Sequence, residues 1–227
     1  MTQERTRLER ETRERLLDEA ARLFAARGFA RVTVRDICHA AGANVAAVNY
    51  HFHGKQGLYD AVVGVAISRM QQTTEAIVDA GRGRAADEQL TAFVRVFLER
   101  VVPQREGWIH QLMVRELADP TPALKLVVRE VLEPRTRYLA GVVARLLSCR
   151  VDDVRVQRAT MSVQWQCLAA IDTRLPDAAI AGDVATVAAH IATFSLGGIR
   201  SLTVMRPRPP RSRGTRPARQ GPPARRP

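Results

Sequence analysis

Cysteine, lysine and aromatic residues are all scarce in this chain of 227 residues, and each shortage excludes something. The three cysteines, Cys38, Cys149 and Cys167, lie far apart and form no Cys-x-x-Cys pair. Neither a zinc knuckle nor a disulfide framework is therefore suggested, and buried thiols are expected. No run of about 18 uncharged apolar residues exists, so no membrane span is expected. The polar start MTQERTRLERETRER has no apolar signal-peptide core, and a cytoplasmic protein is expected. Catalytic signatures are missing as well: there is no Gly-x-Ser-x-Gly elbow, no His-Glu-x-x-His and no Gly-rich phosphate loop. His51 and His53 are spaced for a metal but lack a neighbouring carboxylate or thiolate. No enzyme, cofactor or metal site is expected. Alternating strand patterns are absent too, which leaves an all-α fold.

Positive charge is plentiful but unevenly spread. Of the net charge of +12, the segment from Arg206 to Pro227 supplies eight through its arginines, leaving +4 for the rest. That segment also has seven prolines and no acidic residue. Unable to bury a core, it is expected to be a disordered tail. A sequence-independent nucleic-acid binder working through this tail is one alternative function, separable by its salt dependence because such binding follows phosphates alone. Lys55 and Lys125 are the only lysines among 35 basic residues, so arginine use reflects coding bias more than a phosphate contact at every site.

The most informative stretch is TVRDICHAAGANVAAVNYHFHGK, Thr33 to Lys55. Thr33 can cap a helix, and Val34, Ile37, Cys38 and Ala41 recur on one face of it. Gly42 suits a left-handed terminus, and Asn44 can cap the next helix at once. In that second helix Val48 and Phe52 lie one turn apart and can be buried together. Small side chains and one amide are left to face outward, as a helix inserted in a major groove requires. A helix, a glycine turn and a helix taken alone would equally describe an ordinary helical hairpin.

Thr33, Ala40, Ala41, Gly42, Tyr50, His51, Phe52 and Lys55 together resemble the helix-turn-helix of the TetR/AcrR repressors, and NVAAVNYHF resembles their CecR-like branch. The match is dense from Arg13 to Tyr59. Ala43 departs from the bulkier aliphatic residue usual after the glycine, and His53-Gly54 from the usual residues before the lysine. The resemblance implies a ligand-responsive repressor that binds double-stranded operator DNA, palindromic in sequence, as a homodimer. Val45, Ala46, Ala47 and Asn49, on the exposed start of the second helix, are the candidates for base edges. Thr33, Tyr50, His51 and Lys55, at its flanks or at helix N-termini, are the candidates for phosphates.

The remaining organisation follows from periodicity. Residues 1–15 alternate acids with arginines, as a solvated helix or a frayed arm does, and read as a charged leader, in which a minority role for Arg5, Arg7 and Arg10 on DNA stays open. Leu16, Ala20, Leu23 and Phe24 open a helix-turn-helix domain over 16–60, whose fourth helix continues to about residue 80 before GRGR breaks it. Residues 85–205 read as a helical ligand-binding and dimerisation domain. Its helices are expected near Asp87–Val102, Glu106–Ala118, Pro122–Ser148 with a kink or split at Pro134, Asp152–Thr173 and Asp183–Val204. By the resemblance, the last two pair across a two-fold axis through Trp165, Leu168, Val187, Ile191 and Phe194; these stripes could as well face their own core. A small, largely apolar effector is also implied, with Trp108, His110, Gln111, Arg115, Trp165 and Gln166 as candidate pocket residues.

Overall fold

The computed structural model describes residues 2–104, 107–171 and 183–204. Among these there are ten α-helices and no strand. The first, α1 (Thr2–Arg27), takes in the charged leader as a solvated stretch of helix. Ion pairs one turn apart along it, Arg5–Glu9, Arg7–Glu11 and Arg10–Glu14, support helix in a stretch with little apolar surface. The Arg13 guanidinium also lies over the Phe52 ring, 5.2 Å from its centre. Arg15 Nε donates to the Ala41 carbonyl at 3.3 Å.

Helices α2 (Val34–Ala41) and α3 (Val45–Phe52) are eight residues each, and both carry the expected caps. Thr33 Oγ1 accepts from the Asp36 amide at 3.1 Å, while the Asp36 carboxylate accepts from the Thr33 amide at 2.8 Å. Hydrogen bonds from the Thr33 side chain and backbone hold the Asp36 carboxyl below its usual range. Asn44 Oδ1 accepts from the Ala47 amide at 2.9 Å. Gly42 ends α2 at φ +61°.

The long helix α4 (Lys55–Gly81) then begins abruptly. His53 and Gly54 take φ of +59° and +105° in succession, so the departure seen in the sequence here is the turn itself. Gly57 completes it: a Cβ there would stand 1.9 Å from the Phe52 carbonyl oxygen. After α5 (Ala86–Val101) come a short 3-10 turn (Val102–Gln104), α6 (Trp108–Ala118) and α7 (Pro122–Val127). A π-turn, Val128–Leu132, separates α7 from α8 (Glu133–Leu147). Pro134 has no N–H to donate to the Glu130 carbonyl, and Gln71 Nε2 on α4 donates to that oxygen instead, at 3.3 Å. Helices α9 (Val154–Ala169) and α10 (Val184–Val204) finish the described chain. The expected end of the ninth helix at Thr173, the start of the sixth at Glu106 and the Arg/Pro tail lie outside the described residues.

Two apolar clusters organise these helices. The first holds Leu16, Ala20, Phe24, Ile37, Val48, Phe52, Leu58, Tyr59 and Val62 from α1 to α4, but also Leu112 from α6 and Val127 from α7. A three-helix head of this size buries little surface alone, so it borrows from the body. The second cluster joins α5, α8, α9 and α10 with Ile77 near the end of α4.

Polar ties reinforce the junction. Arg115 Nε donates to the Ala25 carbonyl at 2.6 Å and its Nη2 to the Ala26 carbonyl, satisfying orphan acceptors at the end of α1. Beside it, the Glu116 carboxylate is 2% exposed. It accepts from Tyr59 Oη on α4, and from the Thr121 amide at 3.1 Å and hydroxyl at 2.9 Å. Burial, then the hydrogen bond to Glu116, push the Tyr59 phenol well above its usual pKa.

Two measurements test this packing. Maleimide should modify the half-buried Cys149 in the folded chain, and Cys38 and Cys167 only on unfolding. Burial raises both of those thiols, Cys167 to about 12, so at neutral pH they stay protonated and unreactive. Tyr59→Phe should cost about 1–3 kcal/mol in a urea titration, because it removes a donor from a buried carboxylate. An unchanged midpoint would mean that Thr121 satisfies Glu116 alone.

Candidate nucleic-acid interface

Helix α3 has two distinct faces. Val48 and Phe52 are 0% and 4% exposed and anchor it in the first cluster. Val45, Ala46, Asn49 and Tyr50, at i, i+1, i+4 and i+5, are exposed together on the opposite side. Ala47 does not join them. It is half-buried and packs on the first cluster, which leaves less of it to face a groove. The outward face is thin, with two short aliphatic side chains, one amide and a phenol, and Asn49 is the residue on it with paired donor and acceptor chemistry suited to a base edge.

The flanks differ from one another in what they have free. Thr33 has spent its donors, since both its amide and its hydroxyl donate to Asp36 Oδ2, at 2.8 and 2.7 Å. Tyr50 is 68% exposed, with its ring 4.9 Å from that of His51. His51 is half-buried beside the Leu8–Thr12 stretch of α1, where a shallow groove runs along the head. Lys55 opens α4 with its ammonium 4.3 Å from the centre of the Phe29 ring. The α4 N-terminus receives no side-chain cap from Gly54, which leaves its first amides available to an anion.

The six residues expected to line one effector pocket are not brought together, and that grouping is corrected. Arg115 is committed to the end of α1. Trp108 packs half-buried on the first cluster with Arg69 over its ring. His110 is half-buried and Gln111 exposed on the same helix, and both are engaged with other groups. Trp165 is 63% exposed on α9, and Gln166 donates from Nε2 to Ser195 Oγ on α10 at 3.2 Å. Polar residues in an apolar helix mark where hydrogen bonds are made, and here those bonds are structural. The Tyr59–Glu116 tie left no signal in the sequence, because Glu116 belongs to no motif and 57 positions separate the two.

The expected dimer residues also divide. Trp165, Leu168 and Phe194 are exposed, together with Met161. Ile191 is 6% exposed and Val187 packs half-buried, both in the second cluster of their own protomer. Their burial needs no partner, which removes Ile191 as a seam residue.

Comparison with known proteins agrees with this geometry. Residues 16–62 match the bacterial regulatory proteins of the tetR family, and residues 86–199 match the C-terminal domain of the HTH-type transcriptional dual regulator CecR. The probable HTH-type transcriptional regulator YttP of Bacillus subtilis is 31% identical over 83 residues, 37% of this chain and 40% of that protein. The chain thus spans about two fifths of that relative in the match. A tetR-family regulatory protein from Rhodococcus RHA1 has the same fold, with a TM-score of 0.65 at 17% identity over 83% of this chain and 96% of that one. The fatty acid degradation regulator FadR from Bacillus halodurans shares it too, with a TM-score of 0.60 at 16% identity over the same shares, 83% and 96%. With a capped helix-turn-helix in the first matched stretch and a helical body in the second, the chain belongs to the TetR family of bacterial transcriptional regulators and carries a CecR-type C-terminal domain.

Proposed function

We propose that this regulator is a ligand-responsive repressor that binds a palindromic operator as a homodimer. The outward face of α3 carries the reading: Val45, Ala46 and Asn49 meet base edges, and Tyr50, His51, Lys55 and the uncapped start of α4 hold phosphates beside them. Thr33 reaches a phosphate only by releasing Asp36, so its part is the smaller one. An eight-residue reading helix spans about 12 Å, enough for one half-site, and a second copy supplies the other.

The exposed apolar stripe supports the dimer. Met161, Trp165 and Leu168 follow one another along α9 at i, i+4 and i+7, and Phe194 stands exposed on the adjoining α10. Four large apolar side chains left in water on neighbouring helices mark an interaction surface. The effector is a small, largely apolar molecule held in the body, and by linkage it lowers DNA affinity only by the ratio of its affinities for the free and DNA-bound forms.

Base and phosphate contacts should fail differently. Asn49→Ala should cost about 1–3 kcal/mol on the operator and relax preference at one base position, whereas Lys55→Ala should weaken all sequences alike and lower the salt slope by about one. Unchanged base preference in Asn49→Ala would remove α3's outward face from the reading. For the seam, Phe194→Asp places a charge on a side chain that is 65% exposed in the protomer, so the fold should persist while the dimer separates. Sedimentation showing a wild-type monomer, or a Phe194→Asp dimer of undiminished stability, would reject this seam.

A further inference from the structure

One side chain in the body is out of balance with its surroundings. Arg135, in the first turn of α8, is 9% exposed, and among the described residues it is the one buried basic group. Its Nε donates to Thr74 Oγ1 at 3.0 Å and its Nη2 to the Met70 carbonyl at 2.9 Å, both on α4. Its Cζ lies 5.3 Å from the centre of the Phe97 ring on α5. All three partners are neutral. Among the described residues every arginine ion pair involves some other arginine, and Arg135 has no carboxylate. A guanidinium has five N–H donors, and two hydrogen bonds leave most of the fork unused. Desolvation without a counter-charge lowers its pKa to about 10, the direction expected for a cation placed where water has been removed.

The neighbourhood is unusual in one further respect. The π-turn Val128–Leu132, which accommodates Pro134, leads directly into Arg135's helix, and such turns are frequent at functional sites. A buried cation with no counter-charge and much of its fork unused is costly, which points to something that completes it.

We propose that Arg135 anchors the effector, and that the effector is an apolar molecule carrying one carboxylate, whose oxygens engage the open part of the guanidinium fork. This deepens the ligand-responsive reading and rests on it. A single carboxylate follows from the charge count: one buried cation balances one negative charge, whereas a phosphate dianion would need a second base that the described interior lacks. An apolar remainder follows from the setting, where Phe97, Val131 and Leu139 are buried around the same stretch. Transmission follows from the present partners. Arg135 holds Met70 and Thr74 on α4, the helix that begins with Lys55 beside the reader, so a carboxylate on the open part of the fork that draws the guanidinium toward itself alters the hold on α4.

The rival explanation is a purely structural clamp between α8 and α4, and Arg135→Met separates the two. The full-length protein is titrated, free and on operator DNA, with decanoate and 1-naphthoate and with the matching neutral alcohols, decanol and 1-naphthalenemethanol. In wild type at least one carboxylate should raise Tm and release DNA at a concentration tenfold or more below its alcohol. Arg135→Met should melt at or above the wild-type temperature without ligand, because an uncompensated buried charge has gone, and should lose tenfold or more in carboxylate affinity. Arg135→Lys, which keeps the charge but not the fork, should fall between them. Equal response to acids and alcohols, indifference of wild type to both carboxylates, or carboxylate binding that survives in Arg135→Met would each overturn the assignment. If Arg135→Met does not fold, the acid-to-alcohol ratio in wild type and the Arg135→Lys titration decide. DNA release by neutral molecules alone would keep the ligand-responsive reading and discard the anion site; carboxylate binding through Arg135 without DNA release would do the reverse.

Discussion

Helix α4 belongs to two cores at once, and the rest of the molecule is arranged around that constraint. Its first turns bury Leu58, Tyr59, Val62 and Val63 in the cluster that holds the reader, and Ile77 near its far end is buried in the cluster of the body. Twenty-seven residues of helix make a rod about 40 Å long. A continuous helix resists bending at any one point, so a displacement imposed at one end is felt at the other. The short turn at His53 and Gly54 leaves little slack between α4 and α3, and the close approach at Gly57 removes more.

Helix α6 is the second strut. Arg115 closes the end of α1, and Glu116 receives the Tyr59 hydroxyl from α4, so adjacent residues tie two helices of the head to the body. A buried carboxylate is tolerable only while its hydrogen bonds are made, which makes this tie close to all-or-none. Arg135 is similar on the body side, holding α4 at Met70 and Thr74 through neutral partners. The head therefore presents a thin outward face on α3, while its orientation is fixed by contacts well away from that face.

How much of this was legible in the sequence depended on whether the deciding contact was local. The caps at Thr33 and Asn44, the glycine turn and the burial of Val48 and Phe52 all lie within a few residues of each other, and they stand as the sequence indicated. Pro134 also acted locally, though as a π-turn and not a simple kink. Failures came where an apolar or polar side chain had more than one possible neighbour. Periodicity placed Ile191 on a stripe but could not tell whether that stripe faced its own core, and it does. Arg115 and Gln166 looked like polar handles for an effector, yet each is used between helices distant in sequence.

The account stands on sequence-specific recognition by two copies of α3, and a footprint measures that directly. Full-length protein at physiological salt, on DNA from upstream of its own gene, should protect one inverted repeat whose halves are centred about 34–36 Å apart or a multiple of that, with equal protection of both. Diffuse protection that covers all sequences and disappears as salt rises would contradict it, because binding would then follow phosphates alone.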